Sequence, residues 1–178
     1  MFYKVRLKDM ARVPPNLFAK PVDEAIIAQL KEKYEAYISK NVGIVIDVLA
    51  VHSHSDGVVI PGDGAAFYEV EFDALVFKIE LQEVFHGKIL DIADFGAFIG
   101  LGPIEGMIHI SQTMDDFVSF SKEKALQGKQ SGRALKPGDV CRTRVIAVSY
   151  KDVTNPKFGL TMRQPSLGKL DWIVEGTK

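Results

Sequence analysis

Gly87-Lys88-Ile89-Leu90-Asp91-Ile92-Ala93-Asp94-Phe95-Gly96-Ala97-Phe98-Ile99-Gly100-Leu101-Gly102-Pro103-Ile104-Glu105-Gly106-Met107-Ile108-His109-Ile110-Ser111 is the stretch whose pattern decides the fold. Ile89 and Ile92 lie in an apolar run, and Phe95 to Ile99 restarts a strand after a tight corner, where Gly96 permits a bend that a side chain would obstruct. Gly100, Gly102, Pro103 and Gly106 punctuate a turn, after which Met107 to Ile110 resumes an extended run closed by Ser111. Gly138-Asp139 opens a fourth run, Val140 to Val148, in which Arg142 and Arg144 have the parity opposite to Thr143 and Val145 and are expected to point outward. A fifth run, Phe158 to Arg163, sets Leu160 and Met162 on one face and Thr161 and Arg163 on the other. Five such strands suit a partly open Greek-key barrel. Period-2 alternation also turns Phe98 away from Ile99, and His109 away from Ile108 and Ile110.

Gly-x-Ile-x-x-Ile-x-x-Phe-Gly-Ala-Phe-Ile-x-Leu, then Gly-Met-Ile-His-Ile-Ser and later Gly-Asp-Val, resembles the S1 RNA-binding domain, an OB-fold variant, over about half of the chain. The resemblance implies that Phe95, Phe98 and His109 line a nucleic-acid face. Base stacking on such rings is worth roughly 1–3 kcal/mol per base and tolerates any sequence. Two positions depart from the family pattern: Ser149 stands where many members carry an acid, and Lys157 where they carry an arginine, with Tyr150 to Pro156 inserted between. These departures imply a loose grip at that end. The candidate RNA-binding set is Lys88, Phe95, Phe98, His109, Arg142, Arg144, Lys157 and Arg163.

Composition agrees with two folded domains. The chain has 178 residues, 47% hydrophobic and 25% charged, which excludes the disordered class. Cys141 is the one cysteine, so no internal disulfide framework exists and a reducing, cytoplasmic setting is expected. Met1-Phe2-Tyr3-Lys4-Val5-Arg6 lacks the apolar core of a signal peptide, and charges interrupt every candidate membrane span. The net charge of −1 is unevenly spread: from Phe117 to Lys169, eleven Lys and Arg face three acids, a local excess of +8. A basic field of this kind attracts phosphate, and beside Phe95, Phe98 and His109 it favours RNA over a merely solvated surface.

The first half reads as a different unit. Phe2 to Lys8 alternates apolar and basic residues and ends before Val13-Pro14-Pro15. A helix is expected from Val22, with Pro21 near its start, Asp23 and Glu24 in its first turn, and Ile26, Ile27, Leu30, Tyr34 and Ile38 on one stripe; Asn41 and Gly43 are expected to stop it. Gly43 to Val51 suggests a central strand, and Tyr68 to Ala74 alternates apolar and acidic residues as an antiparallel strand with one wet face does. Between them, His52 to Ala66 carries Gly57-Val58-Val59-Ile60-Pro61-Gly62-Asp63-Gly64, an apolar tip between glycines that suggests docking.

A strand ending at Val-Pro-Pro, a helix, a long hairpin with a glycine-flanked apolar tip and then an S1 domain near Glu83 resembles the stalk-subunit family of multisubunit DNA-directed RNA polymerases, most closely its archaeal E-prime type. The resemblance covers nearly the whole chain. It implies an α+β fold class: a truncated ribonucleoprotein-like α+β domain over residues 1–82, then an all-β S1-type five-stranded OB-fold barrel over 83–178. It implies a noncatalytic polymerase subunit that pairs with a small subunit of the F type and docks on the polymerase core through residues 57–64. It further implies contact with single-stranded nascent RNA and with initiation factors during initiation and elongation, with no cofactor, metal or membrane.

Enzyme readings are weaker. His52 and His54 are two apart on an expected strand, but no further Cys or His completes a metal site at the usual spacing. Asp91 with Asp94, and Asp115-Asp116, resemble paired carboxylates, yet no neighbouring base or nucleophile completes the chemistry. Gly100-x-Gly102 precedes a strand where a phosphate loop needs a helix, and Cys141 has no nearby histidine to make it a thiolate. Four classes compete: polymerase subunit, translation-initiation or RNA-decay S1 protein, ribonuclease, and structural connector. The N-terminal half favours the first, and there is no room for a nuclease domain.

Overall fold

The computed structural model describes residues 1–35, 37–121, 124–152 and 155–175. It divides into two compact units, Met1–Lys78 and Ile79–Lys178.

In the N-terminal unit, β1 (Phe2–Val13), β3 (Gly43–His54) and β5 (Ala66–Phe77) make the body of an antiparallel sheet ordered β1-β5-β3-β2, with β2 (Ile38–Ser39) at one edge and β4 (Val58–Val59) paired to β5. Helix α1 (Val22–Tyr34) covers one face. Its Ala25, Ile26 and Leu30 pack with Ala11, Val13, Val45, Val48, Val70, Phe72, Ala74 and Val76 in one buried cluster. Asp23 and Glu24 sit in the first turn and Lys31 and Lys33 in the last, complementing the helix dipole.

The helix stops a turn earlier than its apolar stripe suggests. Tyr34 ends it, its hydroxyl held 2.7 Å from the Asp9 carboxylate, and Ile38 belongs to β2, opposite Ile44. Gly43 therefore does not stop a helix; it opens β3. Its φ of +92° and a phantom Cβ only 2.6 Å from the Phe77 carbonyl oxygen exclude any side chain. Asp73 keeps the open-face position that alternation in β5 predicts but is only 3% exposed, because Lys4, Arg6 and His52 gather over it.

The C-terminal unit is a closed barrel. Strands β6 (Val84–Ala93), β7 (Gly96–Gly100), β8 (Glu105–His109), β12 (Val140–Ser149) and β13 (Lys157–Thr161) follow the order β13-β8-β7-β6-β12, and β12 pairs with β13 to close it. Ile89, Ile92, Ala97, Ile99, Ile108, Cys141, Val145, Phe158 and Leu160 fill the interior. These are the five runs read from the sequence. Between a short 3-10 turn (Ile110–Gln112) and β12 lies a separate three-stranded sheet that the sequence did not announce: β9 (Val118–Ser121), β10 (Ala125–Gly128) and β11 (Ala134–Leu135). After β13, β14 (Gly168–Lys169) adds to β12 and leads into α2 (Leu170–Glu175). No helix among the described residues is long and apolar enough to cross a membrane.

Candidate nucleic-acid interface

The β6–β7 corner and the β7–β8 pairing build the site. Ala97 and Ile99 point into the barrel and are fully buried, which leaves Phe98 on the outer surface. There Phe98 stands opposite Met107 on β8 and opposite Asp91 on β6, and Gly96 stands opposite His109. Gly96 is required by a close approach between strands: a Cβ would lie 2.2 Å from the Ile108 carbonyl oxygen. The Phe95 carbonyl accepts from the Ile110 N–H at 2.8 Å, which ties the corner to the end of β8. Phe95, 48% exposed, meets Phe98 edge to face with centroids 6.0 Å apart at 89°. Two rings at right angles give two separately oriented stacking planes.

His109 completes the group. Its Nδ1 accepts from the Ser111 N–H at 3.3 Å and lies 2.8 Å from the Ser111 hydroxyl. In the neutral ring the proton therefore rides on Nε2, the nitrogen left to meet a ligand.

Cations border this face. Lys124, on the link between β9 and β10, lies 2.9 Å from Asp91, the residue opposite Phe98. The hydrogen bond from Lys124 holds the Asp91 carboxyl below the usual carboxylate range. On the His109 side, Arg163 donates Nη1 to the Ser111 carbonyl at 3.3 Å and forms an ion pair with Asp115. Arg163 was among the residues expected from the sequence; Lys124 was not. No periodicity connects Lys124 to Phe98, and only the folded register brings them together.

The remaining candidates are elsewhere on the barrel. Arg142 and Arg144 point outward, since Thr143 and Val145 are buried, but β12 meets β6 at residues 84–88, away from Asp91 and Phe98. Arg142 donates to His86 Nε2 at 2.8 Å and to the Ser166 carbonyl at 3.4 Å. Arg144 sits between Val84 and Thr161, its buried Nε without a partner among the described residues. Lys88 is exposed on the same β6–β12 wall, opposite Val140. Because β13 runs parallel to β8, with Gly159 beside Met107, Lys157 lies at the far end of that strand from His109, paired with Ser149. Of the basic stretch Lys122 and Glu123, and of the insertion after Tyr150 residues 153 and 154, lie outside the described residues.

The tip of the N-terminal unit is a separate surface. Val58, Val59 and Ile60 are 60%, 61% and 48% exposed, and β4 pairs with β5 at Phe67 and Ala66. At its foot Asp63 takes a two-pronged contact from Arg12, Nε at 2.9 Å and Nη2 at 2.7 Å, which keeps its carboxyl below the ordinary range. Within residues 57–64, then, Asp63 secures the loop while Val58 to Ile60 face outward.

On the open face of the same sheet, Asp73 collects Lys4 Nζ at 2.7 Å, His52 Nε2 at 2.7 Å and Arg6 Nε at 3.3 Å. The hydrogen bond from Lys4, followed by that from His52, holds its carboxyl far below the usual range. His54 turns the other way, toward Asp23 of α1 and the Tyr68 ring. A bulge between Val51 and Ser53 separates the two histidines that strict alternation would place on one face. Asp116 binds the Gln130 and Ser131 N–H groups and the Ser131 hydroxyl, a turn-holding role. Cys141 is buried, and desolvation pushes its thiol up to about 12, so it packs as a small apolar group. Among the described residues no group of three or more His, Cys, Asp or Glu could hold a metal.

Comparison with known proteins agrees with this geometry. Residues 8–64 match the SHS2 domain found in the N terminus of Rpb7p/Rpc25p, and residues 78–153 match the S1 RNA binding domain. The chain is 38% identical over 181 residues, all of both chains, to DNA-directed RNA polymerase subunit Rpo7 of Saccharolobus shibatae. It is 37% identical to the Sulfolobus acidocaldarius Rpo7, covering 97% of this chain and 95% of that one. It is also 29% identical to DNA-directed RNA polymerase III subunit RPC8 of Bos taurus, covering 86% and 79%.

Proposed function

The chain belongs to the Rpo7 family of DNA-directed RNA polymerase subunits, and from that membership we propose that it is a noncatalytic stalk subunit working in the cytoplasm. It pairs with a small partner subunit of the F type, anchors to the polymerase core through the Val58-Val59-Ile60 tip, and guides single-stranded transcript across the barrel. Initiation factors meet the polymerase in its presence.

The observation that carries this reading is the exposed grouping of Phe95, Phe98 and His109, with Lys124 at one border and Arg163 at the other. Rings supply stacking without base selectivity, and the cations supply phosphate attraction without sequence information. Such a face holds a moving strand weakly at many registers, as a guide requires. Phosphoryl transfer needs metal ions or a positioned base in line with the reacting phosphate, and no part of the proposed role calls on them.

The test is a titration of labelled single-stranded RNA against the protein and against a Phe95→Ala/Phe98→Ala/His109→Ala variant. Loss of two stacking planes is expected to cost roughly 2 kcal/mol or more, at least about thirtyfold in affinity. Unchanged binding in a variant that keeps the wild-type circular dichroism spectrum would sink the assignment.

A further inference from the structure

A cavity of about 330 Å³ opens in the C-terminal unit between the turn after β8, the β10–β11 hairpin and the segment from Met162 into α2. Met114, Met162 and Leu167 line its apolar part, and Arg133, Arg163 and Trp172 supply the planar and charged groups. The Arg133 guanidinium lies over the Trp172 ring, 5.5 Å from its centroid. Among the described residues no carboxylate pairs with Arg133. Arg163 is the shared element. One of its nitrogens reaches the Ser111 carbonyl beside His109, and another pairs with Asp115, which also lines the cavity.

From this arrangement we propose that the cavity is a nucleotide subsite continuing the ring face past His109, occupied by one nucleotide of a bound single strand. The base stacks against the Arg133 and Trp172 planes, and its phosphate takes Arg163. The inference rests on the RNA reading of Phe95, Phe98 and His109.

Three features favour a nucleotide. A guanidinium over an indole brings two planar groups of the kind on which unstacked bases settle into one cavity, which a lysine could not. The volume lies at the lower end of the range for small-ligand sites, enough for one monomer unit of a polymer and not for a folded partner. The cationic side is also available: the Asp115 side chain is 81% exposed, so its pairing with Arg163 is weak and a phosphate can replace it.

Trp172 is the one tryptophan of the chain, so its emission reports on the cavity alone. An oligouridylate of about ten nucleotides, within the span that OB folds cover, is titrated while its end-label anisotropy and the tryptophan emission are followed together. Emission is expected to fall in step with anisotropy. Arg133→Ala and Arg133→Lys are each expected to weaken binding about fivefold or more, because a stacked base is worth roughly 1–3 kcal/mol. Anisotropy rising with unchanged emission, or Arg133→Lys binding as tightly as wild type, overturns the subsite and leaves the ring face standing. No rise in anisotropy with the unaltered protein overturns the ring face and the subsite with it.

Discussion

The tip hairpin and the ring face both expose apolar side chains, and they differ in what accompanies them. At the tip, Val58, Val59 and Ile60 are aliphatic, and the one acid of the loop, Asp63, is already committed to Arg12. At the ring face, Phe95 and Phe98 are planar and lie between Lys124 and Arg163, each resting on a carboxylate. Aliphatic surface gains about 25 cal/mol per Å² when buried against another apolar surface and gains nothing specific from a base or a phosphate. Aromatic faces with cations at their borders gain from both. Exposed hydrophobicity alone therefore says little about a partner; side-chain shape and neighbouring charge divide protein docking from nucleic-acid contact.

The largest expected effect breaks that division cleanly. Replacing Val58-Val59-Ile60 with Gly-Ser-Gly is expected to abolish co-purification with polymerase while leaving the RNA affinity of the isolated protein unchanged. The three side chains are exposed, Ile60 the least at 48%, so the thermal midpoint is expected to move little. Incorporation at the normal level would remove the tip from the docking role. A parallel loss of RNA binding would mean that the two surfaces are not separate functions.

How much of this was legible in the sequence depends on how local the signal is. The barrel strands were, because period-2 alternation and glycines at close approaches act within one strand pair: Ile99 inside, Phe98 outside, and Gly96 beneath the Ile108 carbonyl. Long-range or irregular features were not. The stripe through Ile38 continued past Tyr34 because a helix and a short hairpin place apolar residues at compatible spacing. The bulge at Val51 and Ser53 turned His54 to the helix side, which no alternation rule foresees. β9 to β11 are short, and their large fully buried side chains are Leu126 and Leu135, opposite each other. Lys124 and the Arg133–Trp172 pair both depend on that sheet, so these parts of the site stayed hidden with it.

A second, smaller contrast lies in the carboxylates. Asp73 is buried with Lys4, Arg6 and His52 around it, whereas the Asp91 side chain is 55% exposed and pairs with Lys124. Both are held below their ordinary range, with the hydrogen bond from the lysine leading each shift. A depressed carboxyl adds stability above its unfolded pKa of about 3.9, and that stability is lost as the pH falls through the folded value. Acid unfolding below about pH 4 is therefore expected to be governed more by Asp73 than by Asp91. At neutral pH, Asp73→Asn leaves the cations around it without their shared counter-ion, and it is expected to lower the thermal midpoint by circular dichroism clearly more than Asp91→Asn does. Equal midpoints for the two variants would make Asp73 another surface acid.

The smallest effect probes Asp91 itself, because at the ring face the carboxylate competes with the ligand for Lys124. Each phosphate neutralised on a single strand contributes about 0.7 to the slope of log affinity against log salt. If Lys124 meets one phosphate, Lys124→Gln reduces that slope by about 0.7 and weakens binding equally for every RNA sequence. Asp91→Asn releases the lysine and moves affinity the other way, while the slope stays at its wild-type value or rises. The pair of variants separates charge from stacking: neither removes a ring, so sequence tolerance is expected to be unchanged in both. A salt slope identical in Lys124→Gln and wild type would take Lys124 off the path of the strand, leaving Arg163 as the cation beside Phe95, Phe98 and His109.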